Sequence, residues 1–496
     1  MYNTEQRFIL SLDQGTTSSR AIIFNHSGQI KGSAQQEFTQ YYPEPGWVEH
    51  DPEEIWSTQL CVARQAILNA GIGPESIESI GITNQRETVI VWDKDSGRPV
   101  YNAIVWQCRR SSAICDELRD SGLEEEFRQR TGLRLDSYFS ATKISWLFRE
   151  IPGLKALAEN GEILFGTVDT WLLWKLTGQH VTDITNASRT LLFNIREEKW
   201  DPVLLSVLGI PEQILPSVKS SSDNFGSTKT DIFGVSIPVT GVAGDQQAAL
   251  FGHTCFSPGM AKNTYGTGCF TLLNTGDKPV WSKNNLLTTI AWKINNHTTF
   301  ALEGSVFVAG AIIQWLRDEL KIITSSAESE ELARSVPSSE GVYIVPAFTG
   351  LGAPYWDSDT RASILGLSRG SNKAHIARAA LESICYQSED LLASMQADCN
   401  EPIAVLKADG GATANSLLMQ LQADISNIPV LLPGITEITA LGAAYLSGLY
   451  TGFWENLSDI EKNWQMKCRF VPSIRDKERK QKLDRWHKAV SVTREF

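Results

Sequence analysis

The sequence predicts an α/β protein built from two related lobes. Short apolar runs that end in glycine-rich turns alternate with helix-like segments, as in residues 361–397, and strands interleaved with helices indicate an α/β architecture. A loop rich in glycine and hydroxyl side chains occurs near the start, in LDQGTTSSR (12–20), and a similar loop near the middle, in NTYGTGCFTLL (263–273). Because the loop pattern restarts, we expect two lobes that face each other, residues 1–251 and 252–496.

Composition limits the class of protein. The chain has 496 residues and a formal net charge of −12. A negative net charge argues against nucleic acid or an anionic membrane as a partner, although a small phosphorylated ligand responds only to local charge. The eight cysteines are scattered without a C-x-x-C pair, which favours thiols in a reducing compartment. The N-terminus lacks a basic signal-peptide start and the apolar runs are too short to span a bilayer, so a cytoplasmic protein is expected.

The first loop joins two predicted strands and holds one carboxylate and four hydroxyls. Apolar runs at residues 8–10 and 21–24 flank it, and together they predict a β-hairpin. The loop matches neither of the two commonest phosphate-binding motifs, yet its hydroxyl and backbone N–H groups could donate to phosphate oxygens. Asp13 could hold Mg²⁺, usually through water, because that ion favours carboxylates. The alternative is an ordinary polar turn.

Three further motifs each allow a structural and a functional interpretation. Asp245 lies between an apolar run and the helix-like QQAALFG, so it is either a helix N-cap or a general base for an attacking hydroxyl. Arg86 and Glu87 in NQRE are either an exposed ion pair of little consequence or a donor and an acceptor for neighbouring hydroxyls of a neutral polyol. The pair Gly410 and Gly411 is either a tight strand-to-helix turn or a point of close backbone approach to a nucleotide.

Longer stretches carry a family resemblance. YFSATKISWLFRE and ASILGLSRGSNKAHIARAALE match generic signatures, whereas NQRE, IVWQCRR and GDQQAALFG are more specific. From LDQGTTSSRA to TALGAAYLSGLYTGFW the chain resembles the FGGY carbohydrate kinases of the actin-like, hexokinase-like ATPase superfamily, and within them the branch that phosphorylates glycerol. The resemblance implies two actin-like (ribonuclease H-like) lobes, each a mixed β-sheet flanked by helices, with a catalytic cleft between them. Residues 1–251 would bind glycerol and phosphate, and residues 252–496 the nucleotide.

The resemblance also implies a reaction and the residues that perform it. The expected reaction is ATP-dependent phosphorylation of glycerol to sn-glycerol 3-phosphate, with ATP/ADP and Mg²⁺ as cofactors. Asp245 and Asp13 are the expected catalytic residues, the first as general base and both beside the metal. The expected polyol-binding residues are Arg86, Glu87, Tyr138, Asp245, Gln246, Trp106, Phe270 and Thr16. The expected nucleotide-binding residues are Thr16, Thr17, Ser18, Arg20, Thr267, Gly310, Gln314, Gly411 and Asn415.

The chain departs from some members of that family. Before Asp245, some relatives carry a Gly- and Arg-rich loop for an inhibitory sugar bisphosphate, and others a histidine that becomes phosphorylated. This chain has STKTDIFGVSIPVTG (227–241) there, with neither feature, so the resemblance does not extend to either control. Ser137 stands where proline is common, but the adjacent Tyr138 is kept. Relatives commonly form homodimers or homotetramers, and the resemblance implies such an assembly.

Two other functions compete with this interpretation. One is a kinase for a related polyol or keto-sugar such as a pentulose, but pentulose branches typically differ at Arg86 and Glu87. The other is an actin-like ATP-binding switch without a small-molecule acceptor, which the retained polyol-binding set argues against.

Overall fold

The computed structural model describes residues 7–399 and 402–496 and confirms the two-lobed α/β architecture. In the first half of the described chain the strands are β1 Phe8–Gln14, β2 Ser18–Phe24, β3 Ile30–Glu37, β4 Glu49–His50, β5 Ile77–Asn84, β6 Ile90–Asp93, β7 Ala103–Ile104, β8 Ile163–Gly166, β9 Val181–Asp183, β10 Phe193–Asn194, β11 Lys199–Trp200, β12 Ser217–Lys219 and β13 Val239–Gly244. In the second half they are β14 Ala261–Tyr265, β15 Cys269–Gly276, β16 Leu287–Ile294, β17 His297–Val306, β18 Tyr343–Val345, β19 Ser363–Leu365, β20 Leu406–Asp409, β21 Val430–Pro433 and β22 Met466–Phe470.

Helices cover the faces of these sheets. In the first half they are α1 Pro52–Ala70, α2 Ser112–Asp120, α3 Glu124–Thr131, α4 Ser140–Glu150, α5 Leu154–Glu159, α6 Val168–Thr177, α7 Ile184–Ala187, α8 Pro202–Leu208, α9 Thr230–Phe233 and α10 Asp245–Gly252. In the second half they are α11 Gly310–Asp318, α12 Ser326–Arg334, α13 Lys373–Cys399, α14 Ser416–Ser426, α15 Ile438–Thr451, α16 Leu457–Glu461 and α17 Asp476–Glu495. Short 3₁₀ helices cover Pro74–Ser76, Glu212–Ile214 and Gly411–Ala414. None of the helices in the described ranges combines the length and hydropathy that a bilayer crossing requires.

The two large sheets repeat the same strand order. The five-stranded sheet has the order β13-β5-β1-β2-β3, and the seven-stranded sheet contains the run β21-β20-β14-β15-β17. In each run the first three strands are parallel and the remaining two continue as antiparallel neighbours. The seven-stranded sheet adds β16 at one edge and β22 at the other. This repetition confirms the two related lobes that the sequence predicts.

Each run is organised around a hairpin whose tip carries hydroxyls. In the first, Asp13 pairs with Arg20 and Gln14 with Ser19 across β1 and β2, so the predicted N-terminal hairpin is confirmed. In the second, β14 and β15 pair up to Tyr265 and Cys269, which leaves residues 266–268 at the tip. The predicted strand, glycine turn and helix of residues 402–425 is also confirmed, as β20 and α14.

Two helices pack at the junction of the lobes with almost no side chain between them. A Cβ atom added to Gly442 of α15 would lie 1.8 Å from the carbonyl oxygen of Ala248 in α10. The same helix packs on the first sheet, where a Cβ atom on Gly81 of β5 would lie 2.3 Å from the carbonyl oxygen of Ala443. Helix α15 therefore lies late in the chain but covers the sheet formed by the first half, and the glycines allow this close approach.

Candidate active site

The predicted site residues of the first lobe meet at one edge of its sheet. Strands β1, β5 and β13 are parallel, and Gln14, Asn84 and Gly244 are paired across them at their carboxyl ends. Asp245 follows β13 directly and Arg86 follows β5 by one further residue. Because ligand-binding residues of α/β sheets follow the carboxyl ends of parallel strands, this edge is the place to look for a site.

Arg86 and Glu87 are buried, with 2% and 1% exposure, so the interpretation as an exposed ion pair is wrong. Arg86 donates from Nη1 and Nη2 to Glu303 at 2.7 and 2.8 Å, and Arg189 Nε donates to Glu87 Oε1 at 2.7 Å. Burial raises the pKa of Glu87. Burial alone would raise the pKa of Glu303 too, but the two arginines outweigh it and lower that pKa to about 2. Two positive and two negative side chains thus share a buried site with little net charge.

Asp245 is not the helix N-cap that the structural interpretation proposed. Gly244 occupies the cap position and Asp245 is the first residue of α10. Its Oδ1 accepts from the Gln246 backbone N–H at 2.8 Å and lies 3.3 Å from Arg86 Nε. The side chain is 33% exposed, and within the described residues its hydrogen bonds all fall on Oδ1. One carboxylate oxygen is therefore held in place while the other has no protein donor.

Asp13 lies near Asp245 in a group of acidic side chains. Burial raises the pKa of Asp13 to about 7; Arg20 opposes this rise, and the carboxylates of Glu437 and Asp245 add to it. Arg20 is itself paired with Glu437 and donates to Gln35 Oε1 at 2.9 Å. Among the described residues no group of three or more acidic, histidine or cysteine side chains could hold a metal ion by itself. Mg²⁺, however, is usually held by one or two carboxylates together with substrate phosphates. Asp13 and Asp245 therefore fit the predicted magnesium site.

Three aromatic side chains from both lobes enclose the space beside these groups. The Trp106 ring is edge-to-face with Tyr138, with centroids 5.5 Å apart, and with Phe270, with centroids 6.4 Å apart. Trp106 Nε1 donates to Thr16 Oγ1 at 3.0 Å, which connects this aromatic enclosure to the first hairpin tip. The structure thus brings together three of the residues predicted to bind the polyol.

The second hairpin tip is flanked by residues predicted to bind the nucleotide. Thr267 at the tip is exposed, and its carbonyl accepts from the Ala309 N–H at 2.8 Å. Gly310 begins α11, and a Cβ atom there would lie 2.6 Å from the Gly266 carbonyl oxygen. Gln314 is exposed one turn further along α11. The N-terminus of α11 and the hairpin tip therefore form one surface.

The two glycines after β20 differ in what the structure requires of them. Gly410 has φ 92° and a Cβ atom there would lie 2.4 Å from the Tyr265 carbonyl oxygen, so this position is a tight turn that needs glycine. Gly411 is exposed, and a Cβ atom there would meet nothing within 4 Å. The protein's own packing therefore does not require glycine at 411. Asn415 caps α14 by accepting from the Leu418 N–H at 2.9 Å, which is a structural role, and its nucleotide contact stays a prediction.

Sequence reasoning missed several charged residues of the site. Glu303 and Arg189 complete the ion pairs of Arg86 and Glu87. Lys262 donates to Gln246 Oε1 and, at 3.2 Å, to the Phe270 carbonyl, and burial lowers its pKa to about 8. Glu303 is the single charge in the apolar stretch ALEGSVFVAG. A lone glutamate in such a stretch could have predicted a buried ion pair, because a buried charge needs a partner.

The repeated sheets, the two hydroxyl-bearing hairpin tips and the acidic edge define a two-lobed α/β protein with a candidate phosphate-binding site. The N-terminal domain of the FGGY family of carbohydrate kinases matches residues 8–252, and the C-terminal domain of that family matches residues 261–450. The chain belongs to the FGGY family of carbohydrate kinases.

Named relatives and solved structures agree with this assignment. The chain is 58% identical over 494 residues to the glycerol kinase of Carboxydothermus hydrogenoformans, covering 99% of both chains. It is 57% identical over 487 residues to glycerol kinase 2 of Thermotoga maritima, covering 98% of both. The crystal structure of Plasmodium falciparum glycerol kinase with ADP superposes with a TM-score of 0.93 at 39% identity, over 98% of both chains. A ligand-bound xylulose kinase from Lactobacillus acidophilus has a TM-score of 0.89 at 22% identity, over 98% of this chain and 97% of that one, and shows the fold alone.

Proposed function

We propose that this chain transfers the γ-phosphoryl group of ATP to glycerol and forms sn-glycerol 3-phosphate. The observation that carries the proposal is the meeting of a buried donor, a buried acceptor and a partly exposed carboxylate at one sheet edge: Arg86, Glu87 and Asp245. A polyol hydroxyl both donates and accepts, so a neutral polyol needs such mixed partners. The aromatic rings nearby suit its carbon skeleton. Relatives named glycerol kinase and a neighbour with bound ADP support the choice of glycerol and ATP.

Asp245 acts as the general base in this mechanism. Its Oδ1 is held by the Gln246 N–H, which leaves Oδ2 to accept the proton of the terminal hydroxyl of glycerol. An aliphatic hydroxyl is too weak an acid to ionise beforehand, so the proton moves late, as the O–P bond forms. Arg86 donates to a neighbouring hydroxyl and Glu87 accepts from one, which orients the attacking oxygen.

The two hairpin tips hold the phosphates. Thr16, Thr17 and Ser18 on the first tip and Thr267 on the second provide hydroxyl and backbone donors. The nucleotide lies against the second lobe, on the surface formed by Gly310, Gln314, Gly411 and Asn415, while Arg20 adds positive charge beside the first tip. Asp13 and Asp245 would hold Mg²⁺, which when bound neutralises charge on the transferring phosphoryl group.

The lobes have separate tasks in this proposal. Residues 1–251 supply most of the polyol and phosphate contacts, and residues 252–496 supply the nucleotide contacts. Closure of the cleft excludes water, which otherwise competes as phosphoryl acceptor. We place the enzyme in the cytoplasm, where ATP is available, and expect a homodimer or homotetramer, which light scattering coupled to size-exclusion chromatography tests directly.

The test of the proposed function is ADP release from Mg-ATP with no acceptor, with glycerol and with D-xylulose. Strong stimulation by glycerol alone is expected. Stimulation only by D-xylulose would keep the kinase mechanism but overturn the roles of Arg86 and Glu87. Hydrolysis indifferent to both would favour an ATP-dependent switch.

The base assignment has its own test in Asp245→Asn. We expect kcat to fall by about 10²- to 10⁴-fold, the usual contribution of a general base, while ATP affinity measured by calorimetry stays within about twofold. A variant with full turnover would contradict the assignment.

A further inference from the structure

The ion pairs of Arg86 and Glu87 depend on residues from both lobes. We call Arg86, Glu87, Arg189 and Glu303 the buried charge cluster; all four are at most 2% exposed. Glu303 lies on β17 in the sheet of the second lobe, whereas the other three belong to the first half of the chain. The proposed polyol contacts are therefore completed by a side chain from across the lobe boundary.

Glu303 occupies one particular edge of the Arg86 guanidinium. It accepts end-on from both terminal nitrogens, Nη1 at 2.7 Å and Nη2 at 2.8 Å. The remaining hydrogen on Nη1 is directed to Gln247 Oε1 at 3.1 Å. The edge formed by Nε and Nη2 is left. It lies 3.3 Å from Asp245 Oδ1, 3.4 Å from Tyr138 Oη and 3.7 Å from Glu87 Oε1. These long contacts are the ones that a polyol oxygen can replace, because the short ones are taken by Glu303.

Arg189 plays the corresponding part for Glu87. Its Nε donates to Glu87 Oε1 at 2.7 Å and its Nη2 to Glu303 Oε1 at 3.1 Å. Within the described residues the hydrogen bond and the ion pairs of the Glu87 side chain fall on Oε1. One oxygen of this acceptor is thus fixed by Arg189, and Oε2 is left without a protein donor.

We propose that Glu303 and Arg189 are positioning residues for polyol recognition, which present the Nε–Nη2 edge of Arg86 and Oε2 of Glu87 to hydroxyls of the substrate. This inference rests on the proposed function. A guanidinium has five N–H donors in a rigid fork. The edge that Glu303 occupies therefore decides which edge of Arg86 remains available to the substrate. Without the clamp, Arg86 and Glu87 can shorten the 3.7 Å separation between Nε and Oε1 into a direct hydrogen bond, or bind water, and the site loses its alignment toward hydroxyls.

The test is substrate selectivity rather than activity alone. Propane-1,2-diol and propane-1,3-diol each retain a primary hydroxyl and lack one other hydroxyl of glycerol. A site built to hydrogen-bond a hydroxyl discriminates strongly against an analogue that lacks it. We therefore measure kcat/KM for glycerol and for each diol in the full-length enzyme, with Mg-ATP saturating, for the wild type, Glu303→Gln and Arg189→Lys.

The matched control is Glu382→Gln. Glu382 is also a buried glutamate of the second half, 1% exposed and paired with Arg378 at 3.0 Å, but it lies on α13 and has no contact with the cluster. It controls for the general cost of removing a buried negative charge from this lobe.

In Glu303→Gln and in Arg189→Lys we expect the selectivity for glycerol over at least one diol to fall by about 10- to 100-fold, the effect of losing a hydrogen bond to a charged group. The loss should appear mainly in KM for glycerol, with KM for ATP within about twofold, and Glu382→Gln should keep the wild-type selectivity.

Equal losses on all three substrates, or no loss, would overturn the inference. If Glu303→Gln fails to fold, the glycerol-to-diol ratio of kcat/KM in Arg189→Lys decides the question, because that variant keeps the positive charge and removes only the forked guanidinium. A wild-type enzyme that does not phosphorylate glycerol would instead refute the proposed function.

Discussion

The buried imidazole of His50 makes a sharp prediction about acid stability. His50 is 0% exposed. Its Nε2 lies 2.7 Å from Gln40 Oε1, and its Nδ1 lies 3.4 Å from Gln85 Nε2. Nε2 is therefore the donor and Nδ1 the acceptor, so a proton added to Nδ1 would face the amide N–H of Gln85. In the part of the chain that the structure describes, the ring has no acidic partner, and burial lowers its pKa from 6.5 to about 4.

The sign and size of the effect follow from linkage. Between pH 6.5 and about 4 the unfolded chain binds a proton at His50 and the folded protein does not, so stability falls as the pH falls through this window. The full difference in pKa corresponds to about 3.4 kcal/mol, of which about 2 kcal/mol is already lost at pH 5. Above about pH 7.5 the histidine contributes almost no pH dependence, because it is neutral in both states.

The assay compares free energies of unfolding in urea at pH 7.5 and pH 5.0. His50→Gln removes the titrating group, so this variant should lose about 2 kcal/mol less than the wild type on acidification. The control is His297→Gln, which removes an exposed histidine and should lose as much as the wild type. If His50→Gln and the wild type lose the same free energy, His50 is not the buried neutral group described.

Three other predictions concern glycines and a buried lysine. Gly411→Ala should change the free energy of unfolding by less than about 0.5 kcal/mol, because its Cβ meets nothing within 4 Å. The same variant should raise KM for ATP about tenfold, and an unchanged KM would contradict close nucleotide approach at this residue. Gly442→Ala should cost about 1–3 kcal/mol or more in urea unfolding, since its Cβ would lie 1.8 Å from the Ala248 carbonyl oxygen; wild-type stability would mean that α10 and α15 are further apart. Burial lowers the pKa of Lys143 from 10.5 to about 8. Between pH 8 and pH 10.5 the unfolded chain therefore binds more protons than the folded protein, so the free energy of unfolding of the wild type should rise with pH, by up to about 3.4 kcal/mol. Lys143→Met should lack this rise, and an identical pH profile would refute the assignment.

Local structure was predictable wherever short-range chemistry determines it. The apolar runs around Asp13 predict a hairpin because strands and polar turns have distinct compositions, and the structure contains it as β1 and β2. The strand, glycine turn and helix around Gly411 follow in the same way. The restart of the loop pattern near residue 263 predicted two related lobes, and the repeated strand order confirms them.

The residues of the candidate site were found mainly by resemblance, because each motif alone allowed two interpretations. Asp245 has the sequence context of a helix cap, and only the backbone places Gly244 in that position instead. Arg86 and Glu87 have the sequence of a surface ion pair, and only packing shows them buried. The difference matters because an exposed pair is screened by water, whereas a buried pair must be compensated by other charges.

The sequence by itself determined the α/β class, the two hairpins with hydroxyl-bearing tips and the family, because these depend on residues close together in the chain or on the order of motifs along it. Tertiary structure alone decided which charges meet. Glu303 is 217 residues from Arg86, and α15 lies far along the chain from the first sheet it covers. Such pairs are set by sheet order and by the cost of leaving a buried charge without a partner, and neither leaves a periodic signal in the sequence.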